Sequence, residues 1–101
     1  LPQKISSEEA KAMMDQGGVI VLDVRTQQEF DEVHVQDAVQ LPNDQILENA
    51  ESVLTDKEAT ILVYCRTGRR SEAAGLILLG KGYRNVKNLG GILSWPYELE
   101  Y

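Results

Sequence analysis

The chain has 101 residues, a formal net charge of −6 and one cysteine. This length is that of one ordinary domain, which we expect to span residues 1–101. The negative charge argues against nucleic acid as a main partner, because polyanion binding needs a basic surface. No apolar run approaches the roughly 20 residues needed to cross a bilayer, so we also expect no membrane partner.

The N-terminus has no apolar segment of the kind found in signal peptides. We therefore expect a cytoplasmic protein, unless a targeting segment has already been removed. A single cysteine excludes an internal disulfide, and with a single histidine it leaves too few soft ligands for a zinc site. We expect no cofactor.

The first half of the chain alternates short apolar runs with helical segments. Ser6 and Glu9 form a capping-box pattern that predicts the start of a helix, and Gly17-Gly18 predicts its end. We predict strands at 3–5, 19–22 and 38–41. We predict two further helices, one over 27–33 and one after Asn43-Asp44, the latter with Ile46, Leu47 and Ala50 facing the core.

The second half continues the alternation. The run from Thr60 to Tyr64 predicts a buried strand, and residues 71–81 predict a helix with Ala73, Ala74, Ile77 and Leu78 inward. A last strand at 86–89 leads through Gly90-Gly91 into a helical turn. Strands that alternate with helices predict an α/β fold, with a central, mainly parallel sheet flanked by helices.

The cysteine lies where a predicted strand ends and a helix is about to begin. Cys65 is followed by Arg66, Arg69 and Arg70. A helix N-terminus carries unpaired N–H groups and a partial positive charge, so a thiol there should ionise more readily than a free cysteine. Ligands of parallel sheets bind beyond the carboxyl ends of the strands. The stretch therefore predicts a nucleophilic thiolate within a loop that binds a small anion.

Four segments in this order resemble the single-domain rhodaneses, a family of sulfurtransferases. They are Val21-Leu22-Asp23-Val24-Arg25 with Glu29-Phe30; His34, Ala38 and Pro42; Val63 to Ser71; and Asn88 to Trp95. The resemblance runs from about Ile5 to Trp95. One departure is the turn His34-Val35-Gln36-Asp37-Ala38, where the family often has His-Ile-Pro-Gly-Ala.

The resemblance implies a rhodanese-like domain whose Cys65 accepts a sulfane sulfur from thiosulfate or a similar small anionic donor. The resulting persulfide passes its outer sulfur to cyanide or a thiol, including a thiol on an acceptor protein. The residues that bind the donor would be Arg66, Thr67, Gly68, Arg69 and Arg70. Exchange of this type needs no general base once the thiol is ionised, which fits a chain whose only histidine is remote in sequence from Cys65.

Two alternatives remain open. Related phosphatases and arsenate reductases use a Cys-x5-Arg loop, whereas Arg70 gives Cys-x4-Arg here; a shorter loop should hold a sulfur-sized group more snugly than a phosphate. A regulatory or docking rhodanese module without turnover is the second alternative. Many such modules lack the cysteine, and this chain keeps it together with the arginines.

The roles of several residues near the loop are also predicted. Arg70 either cradles the anion or pairs with a carboxylate. Asp23 ends a strand on the same edge as Cys65, and we favour a structural role in which its carboxylate accepts backbone N–H groups. His34 is expected to fix a turn. Tyr64 should point to the face of the sheet opposite Cys65.

Overall fold

A computed structural model describes all 101 residues of the chain. The helices are α1 (Ser7–Gln16), α2 (Gln27–Glu32), α3 (Ile46–Val53) and α4 (Arg69–Gly80), with 3-10 turns at Asn43–Gln45 and Ile92–Ser94. The strands are β1 (Gln3–Lys4), β2 (Val19–Asp23), β3 (His34–Val35), β4 (Val39–Gln40), β5 (Thr60–Cys65), β6 (Asn85–Gly91) and β7 (Leu99–Glu100). No helix is long and apolar enough to cross a membrane.

The centre of the fold is a five-stranded parallel sheet in the order β1-β6-β5-β2-β4. Side chains of α3 and α4 pack on one face of the sheet, and α1 packs on the other through Ala10. Leu22 and Val63 lie opposite each other in the central pair of strands, and both are fully buried. The predicted α/β fold with a mainly parallel sheet is confirmed.

A second, small sheet was not predicted. β3 pairs with β7 in antiparallel register, which fastens the end of the chain near His34. After β3 the chain turns at Asp37, whose φ of 65° lies in the left-handed region. Glycine is the residue that adopts this conformation most readily, and aspartate is one of the few others that tolerate it. Two-residue strands carry no hydrophobic pattern, so this sheet has no signal in the sequence.

Three predicted details differ from the structure. Ala73 is exposed rather than inward, because the buried face of α4 runs through Ser71, Ala74, Gly75 and Leu78. Leu47 is 63% exposed, because the buried stripe of α3 runs through Ile46 and Ala50, spaced one helical turn apart. α4 begins at Arg69 rather than Ser71. Gly68, with a φ of 109°, allows the loop to turn directly into the helix.

A buried polar cluster joins the ends of β2 and β5. The Asp23 carboxylate accepts hydrogen bonds from the Arg25 guanidinium (Nη2–Oδ2, 2.6 Å), the Arg25 backbone N–H (2.8 Å) and the Tyr64 hydroxyl (2.6 Å). The Tyr64 oxygen in turn accepts the Val35 N–H at 3.0 Å. The pKa of Tyr64 is raised, mainly because the side chain is buried and also because it is bonded to the carboxylate of Asp23. The phenol therefore stays a hydrogen-bond donor. The backbone N–H bond to Asp23 agrees with the structural role predicted for it.

Tyr64→Phe tests the contribution of this cluster to stability. The change leaves the Val35 N–H without its acceptor and the buried carboxylate short of one donor. We expect the free energy of unfolding, measured with urea, to fall by about 1–3 kcal/mol. Tyr101→Phe, at a side chain that is 89% exposed, is the control and should change nothing measurable. Equal stability of the two variants would contradict the role assigned to the cluster.

Candidate active site

Cys65 is the last residue of β5, and its side chain is 1% exposed. It packs in the apolar cluster on the α4 face of the sheet, whereas Tyr64 packs in the cluster on the opposite face. The predicted alternation of these two side chains is confirmed. Since β5 is the middle strand of the parallel sheet, the thiol lies at the central carboxyl edge where ligands of such sheets bind.

The loop after Cys65 turns back so that an N–H group and a hydroxyl group lie within hydrogen-bond distance of the sulfur. The Gly68 N–H donates to Sγ at 3.0 Å, and the Ser71 hydroxyl oxygen lies 3.5 Å from it. Gly68 has a positive φ, a conformation that glycine adopts without strain. Gly68 also precedes the first residue of α4, so the sulfur lies against the N-terminal end of a helix of 12 residues.

The balance of these contacts favours the thiolate. Burial raises the pKa of Cys65, but hydrogen bonds from the Ser71 hydroxyl and from the backbone N–H groups of Ser71, Gly68 and Thr67 lower it. The net result is a pKa below the ordinary value of a cysteine. Backbone N–H groups and the Ser71 hydroxyl therefore favour ionisation of the thiol, and no general base lies beside the sulfur.

The three arginines of the loop occupy different surroundings. Arg66 and Arg69 are exposed, and neither takes part in an ion pair. Arg70 is half-buried and forms a two-pronged pair with Glu29, with Nη1–Oε1 at 2.8 Å and Nη2–Oε2 at 3.1 Å. Of the two roles left open for Arg70, the structure contains the carboxylate pair.

Glu29 is held from two sides. Besides Arg70, it accepts the Thr26 backbone N–H at 3.0 Å in the capping box that starts α2. The hydrogen bonds from Arg70 are the main reason why the pKa of Glu29 is lowered to about 2. The carboxylate is therefore ionised at any pH near neutrality, and it braces the first turn of α4 against α2.

The strand after α4 closes the other side of the loop. A Cβ on Gly91 would lie 2.3 Å from the Arg66 carbonyl oxygen, a distance that no side chain tolerates. The Leu93 N–H donates to that same oxygen at 3.4 Å. Gly91, the last residue of β6, thus permits close approach of two backbones, which is a packing requirement of the site.

The side chains of other predicted residues form no hydrogen bond with the sulfur. His34 Nδ1 lies 2.8 Å from the Phe30 carbonyl oxygen and its ring stacks on Phe30, with ring centroids 3.7 Å apart, as expected for a turn-fixing role. Thr67 is exposed at the tip of the loop. A cavity of about 350 Å³ lies on the outer side of the loop, between Lys4, Arg69 and Glu72, and Cys65 does not line it.

Sequence reasoning missed two polar side chains beneath the sulfur. Ser71 is fully buried, and Asn88 is 5% exposed. Their side chains are joined by a hydrogen bond of 2.7 Å between Ser71 Oγ and Asn88 Oδ1. The hydrophobic pattern gave no signal for Asn88, because β6 also contains Asn85 and Lys87. No three His, Cys, Asp or Glu side chains are grouped so as to hold a metal ion.

Comparison with known proteins places this geometry in a family. The model of the rhodanese-like domain matches residues 6–97. The thiosulfate sulfurtransferase PspE of Escherichia coli (strain K12) is 38% identical over 71 residues, which cover 70% of this chain and 68% of PspE. A tRNA uridine(34) hydroxylase of Photorhabdus laumondii is 29% identical over 96 residues, which cover 90% of this chain but only 27% of the hydroxylase.

Solved structures agree. A structure described as rhodanese with anions from E. coli superposes with a TM-score of 0.75 at 33% sequence identity, covering 80% of this chain and 95% of that one. The family match spans four of the five strands of the parallel sheet (β2, β4, β5 and β6), the cysteine loop and Gly91, which packs against it. The chain belongs to the rhodanese-like domain family.

Proposed function

We propose that this chain is a sulfurtransferase whose Cys65 carries sulfur as a persulfide between a small anionic donor and a nucleophilic acceptor. The observation that carries the proposal is the buried Sγ of Cys65 at the carboxyl end of β5, with the Gly68 N–H donating to it at 3.0 Å. A relative named for thiosulfate sulfurtransferase activity supports thiosulfate as the donor class.

The first half of the proposed reaction is attack on sulfur. The thiolate of Cys65 attacks the outer, sulfane sulfur of thiosulfate; an Sγ–S bond forms, the S–S bond of thiosulfate breaks, and sulfite leaves with the bonding electron pair. The product is the Cys65 persulfide anion. The N–H groups around the sulfur are placed to stabilise an anion there, and the depressed pKa of Cys65 supplies the thiolate without a separate base.

The second half returns the enzyme to its starting state. Cyanide or a thiolate attacks the outer sulfur of the persulfide, forming a C–S or S–S bond. The Sγ–S bond breaks, and its electron pair stays on Cys65. The same donors that favour the thiolate as a nucleophile make it a good leaving group in this step.

The arginines divide between the donor and the loop. Arg66 and Arg69 are exposed and free of carboxylates, so in our proposal they attract and orient the donor dianion by charge-assisted hydrogen bonds. Arg70 braces the loop through its ion pair with Glu29, and its positive charge attracts the anionic sulfur of Cys65. The exposed Thr67 and the left-handed Gly68 complete the donor-binding loop, with Gly68 supplying its backbone N–H.

A mass measurement tests the persulfide. After incubation with thiosulfate and removal of the excess, the intact protein should gain the mass of one sulfur atom, and cyanide should remove it with release of thiocyanate. Cys65→Ser should show neither event. Phosphate release from a phosphate monoester without thiocyanate production would instead favour the phosphatase alternative, and no turnover of either substrate would favour a docking module.

Single arginine variants test the division of charge. Arg66→Ala and Arg69→Ala should each lower kcat/KM for thiosulfate by up to about 100-fold, because each removes a donor preorganised for the leaving sulfite. Arg84→Ala is the matched control, since Arg84 is an exposed arginine that pairs with Glu58 away from the loop. An equal, small loss in all three variants would show that only the overall charge matters.

The pH dependence of alkylation tests the activated thiol. Because the pKa of Cys65 is lowered, the thiolate persists to lower pH than in a free cysteine. The midpoint of the iodoacetamide rate against pH should therefore lie below the value of about 8.5 for an unperturbed thiol. A midpoint at or above that value would contradict the activation described for the loop.

A further inference from the structure

Asn88 occupies a special position in β6. It lies opposite Val63, and the regular pairing with β5 breaks directly after it, so that Tyr64 faces Gly90. Its Oδ1 accepts two hydrogen bonds, from the Ser71 hydroxyl at 2.7 Å and from the Gly90 N–H at 2.9 Å. The Gly90 N–H can only donate, so it fixes which end of the amide faces Ser71.

Ser71 links Asn88 to the sulfur. Its oxygen lies 2.7 Å from Asn88 Oδ1, 3.0 Å from the Gly68 carbonyl oxygen and 3.5 Å from Cys65 Sγ. A hydroxyl has one hydrogen to donate, and the amide oxygen is the nearest acceptor. While Cys65 is a thiol, the Ser71 hydrogen therefore points to Asn88, and a lone pair of Ser71 receives the S–H.

When the thiol ionises, the Ser71 hydroxyl can no longer accept a hydrogen bond from the sulfur and can instead donate one to it. A thiolate or persulfide anion needs donors, and backbone N–H groups, that of Gly68 at 3.0 Å among them, are already directed at Sγ. The Ser71 hydroxyl becomes a further donor only if it turns from Asn88 to the sulfur. The amide oxygen of Asn88 and the sulfur thus compete for a single hydrogen.

We propose that Asn88 is a positioning residue for the chemistry of Cys65: its amide oxygen holds the Ser71 hydrogen and sets how readily that hydrogen is donated to the sulfur. The proposal rests on the proposed function for its catalytic meaning. A weaker acceptor at position 88 would release the Ser71 hydrogen to the anion, giving a more acidic thiol. A more acidic thiol gives a better leaving group but a weaker nucleophile. In our proposal the amide of Asn88 keeps the sulfur effective in both roles.

Asn88→Leu and Ser71→Ala leave the charged groups near the sulfur unchanged. Asp23 and Arg25, at the end of β2, are bonded to each other, and Asp23 also accepts the hydroxyl of Tyr64, which lies on the opposite face of the sheet. The other charged side chains on the loop and on α2, α4 and β6 are Arg66, Arg69, Arg70, Glu72, Glu29, Asp31, Glu32 and Lys87. A change in ionisation that depends on both Asn88 and Ser71 is therefore not a general effect of charge.

The test is a double-mutant cycle read by alkylation. Asn88→Leu keeps the branched shape of the side chain and removes the acceptor, so the midpoint of the iodoacetamide rate against pH should fall by about 0.5–1 pH unit, the equivalent of one hydrogen bond. In the Ser71→Ala background the same Asn88→Leu change should move the midpoint by less than a third of that amount. An equal shift with and without Ser71, or no shift in either background, overturns the proposal.

Asn88→Asp provides a second variant that keeps the shape and an acceptor oxygen for both hydrogen bonds, and it adds a negative charge. Its carboxylate should hold the Ser71 hydrogen more strongly and raise the midpoint, and this rise should shrink when Ser71 is Ala. A fall of the midpoint in Asn88→Asp, or a rise of equal size without Ser71, would contradict the proposal even if Asn88→Leu did not fold. Alkylation requires no sulfur donor. If the unsubstituted protein produced no thiocyanate, the proposed function would be refuted, but the double-mutant cycle could still be interpreted.

Discussion

The hydrogen bonds on the Asp23 carboxylate hold together the strand ends around which the site is built. Asp23 ends β2, and its buried carboxylate receives the Arg25 guanidinium and the hydroxyl of Tyr64 from β5. Removing one member of a buried charged pair is costly, because the remaining charge loses its compensation. With Tyr64 tied down on one face of the sheet, the pleat of β5 requires the next side chain, Cys65, to enter the other face.

That orientation places the sulfur among backbone donors rather than charged side chains. The loop can turn tightly enough for this purpose because Gly68 adopts a positive φ, and because the absence of a side chain at Gly91 lets β6 approach the Arg66 carbonyl. These donors lower the pKa of the thiol. Arg70 is held by Glu29, whereas Arg66 and Arg69 are more exposed and form no ion pair.

Features that depend on neighbouring residues were predictable. The capping box of Ser6 and Glu9 starts α1 as expected, because both hydrogen bonds lie within four residues. The buried strands were recognised from their apolar runs. The β3–β7 sheet was missed because each strand has two residues, and Leu47 was placed inward because a short helix of mixed polarity does not show which of two adjacent apolar positions faces the sheet.

The amino-acid sequence by itself determined that one cysteine ends a buried strand, that a glycine and three arginines follow it, and that strands and helices alternate as in a parallel sheet. These are local properties of hydrophobic pattern and loop length. Only the tertiary structure decided that Glu29 takes Arg70, that Asn88 reaches the Ser71 hydroxyl beneath the sulfur, and that Gly91 contacts the loop backbone. Those partners are 41, 17 and 25 residues apart in the chain, and they meet because parallel strands bring their carboxyl ends to one edge.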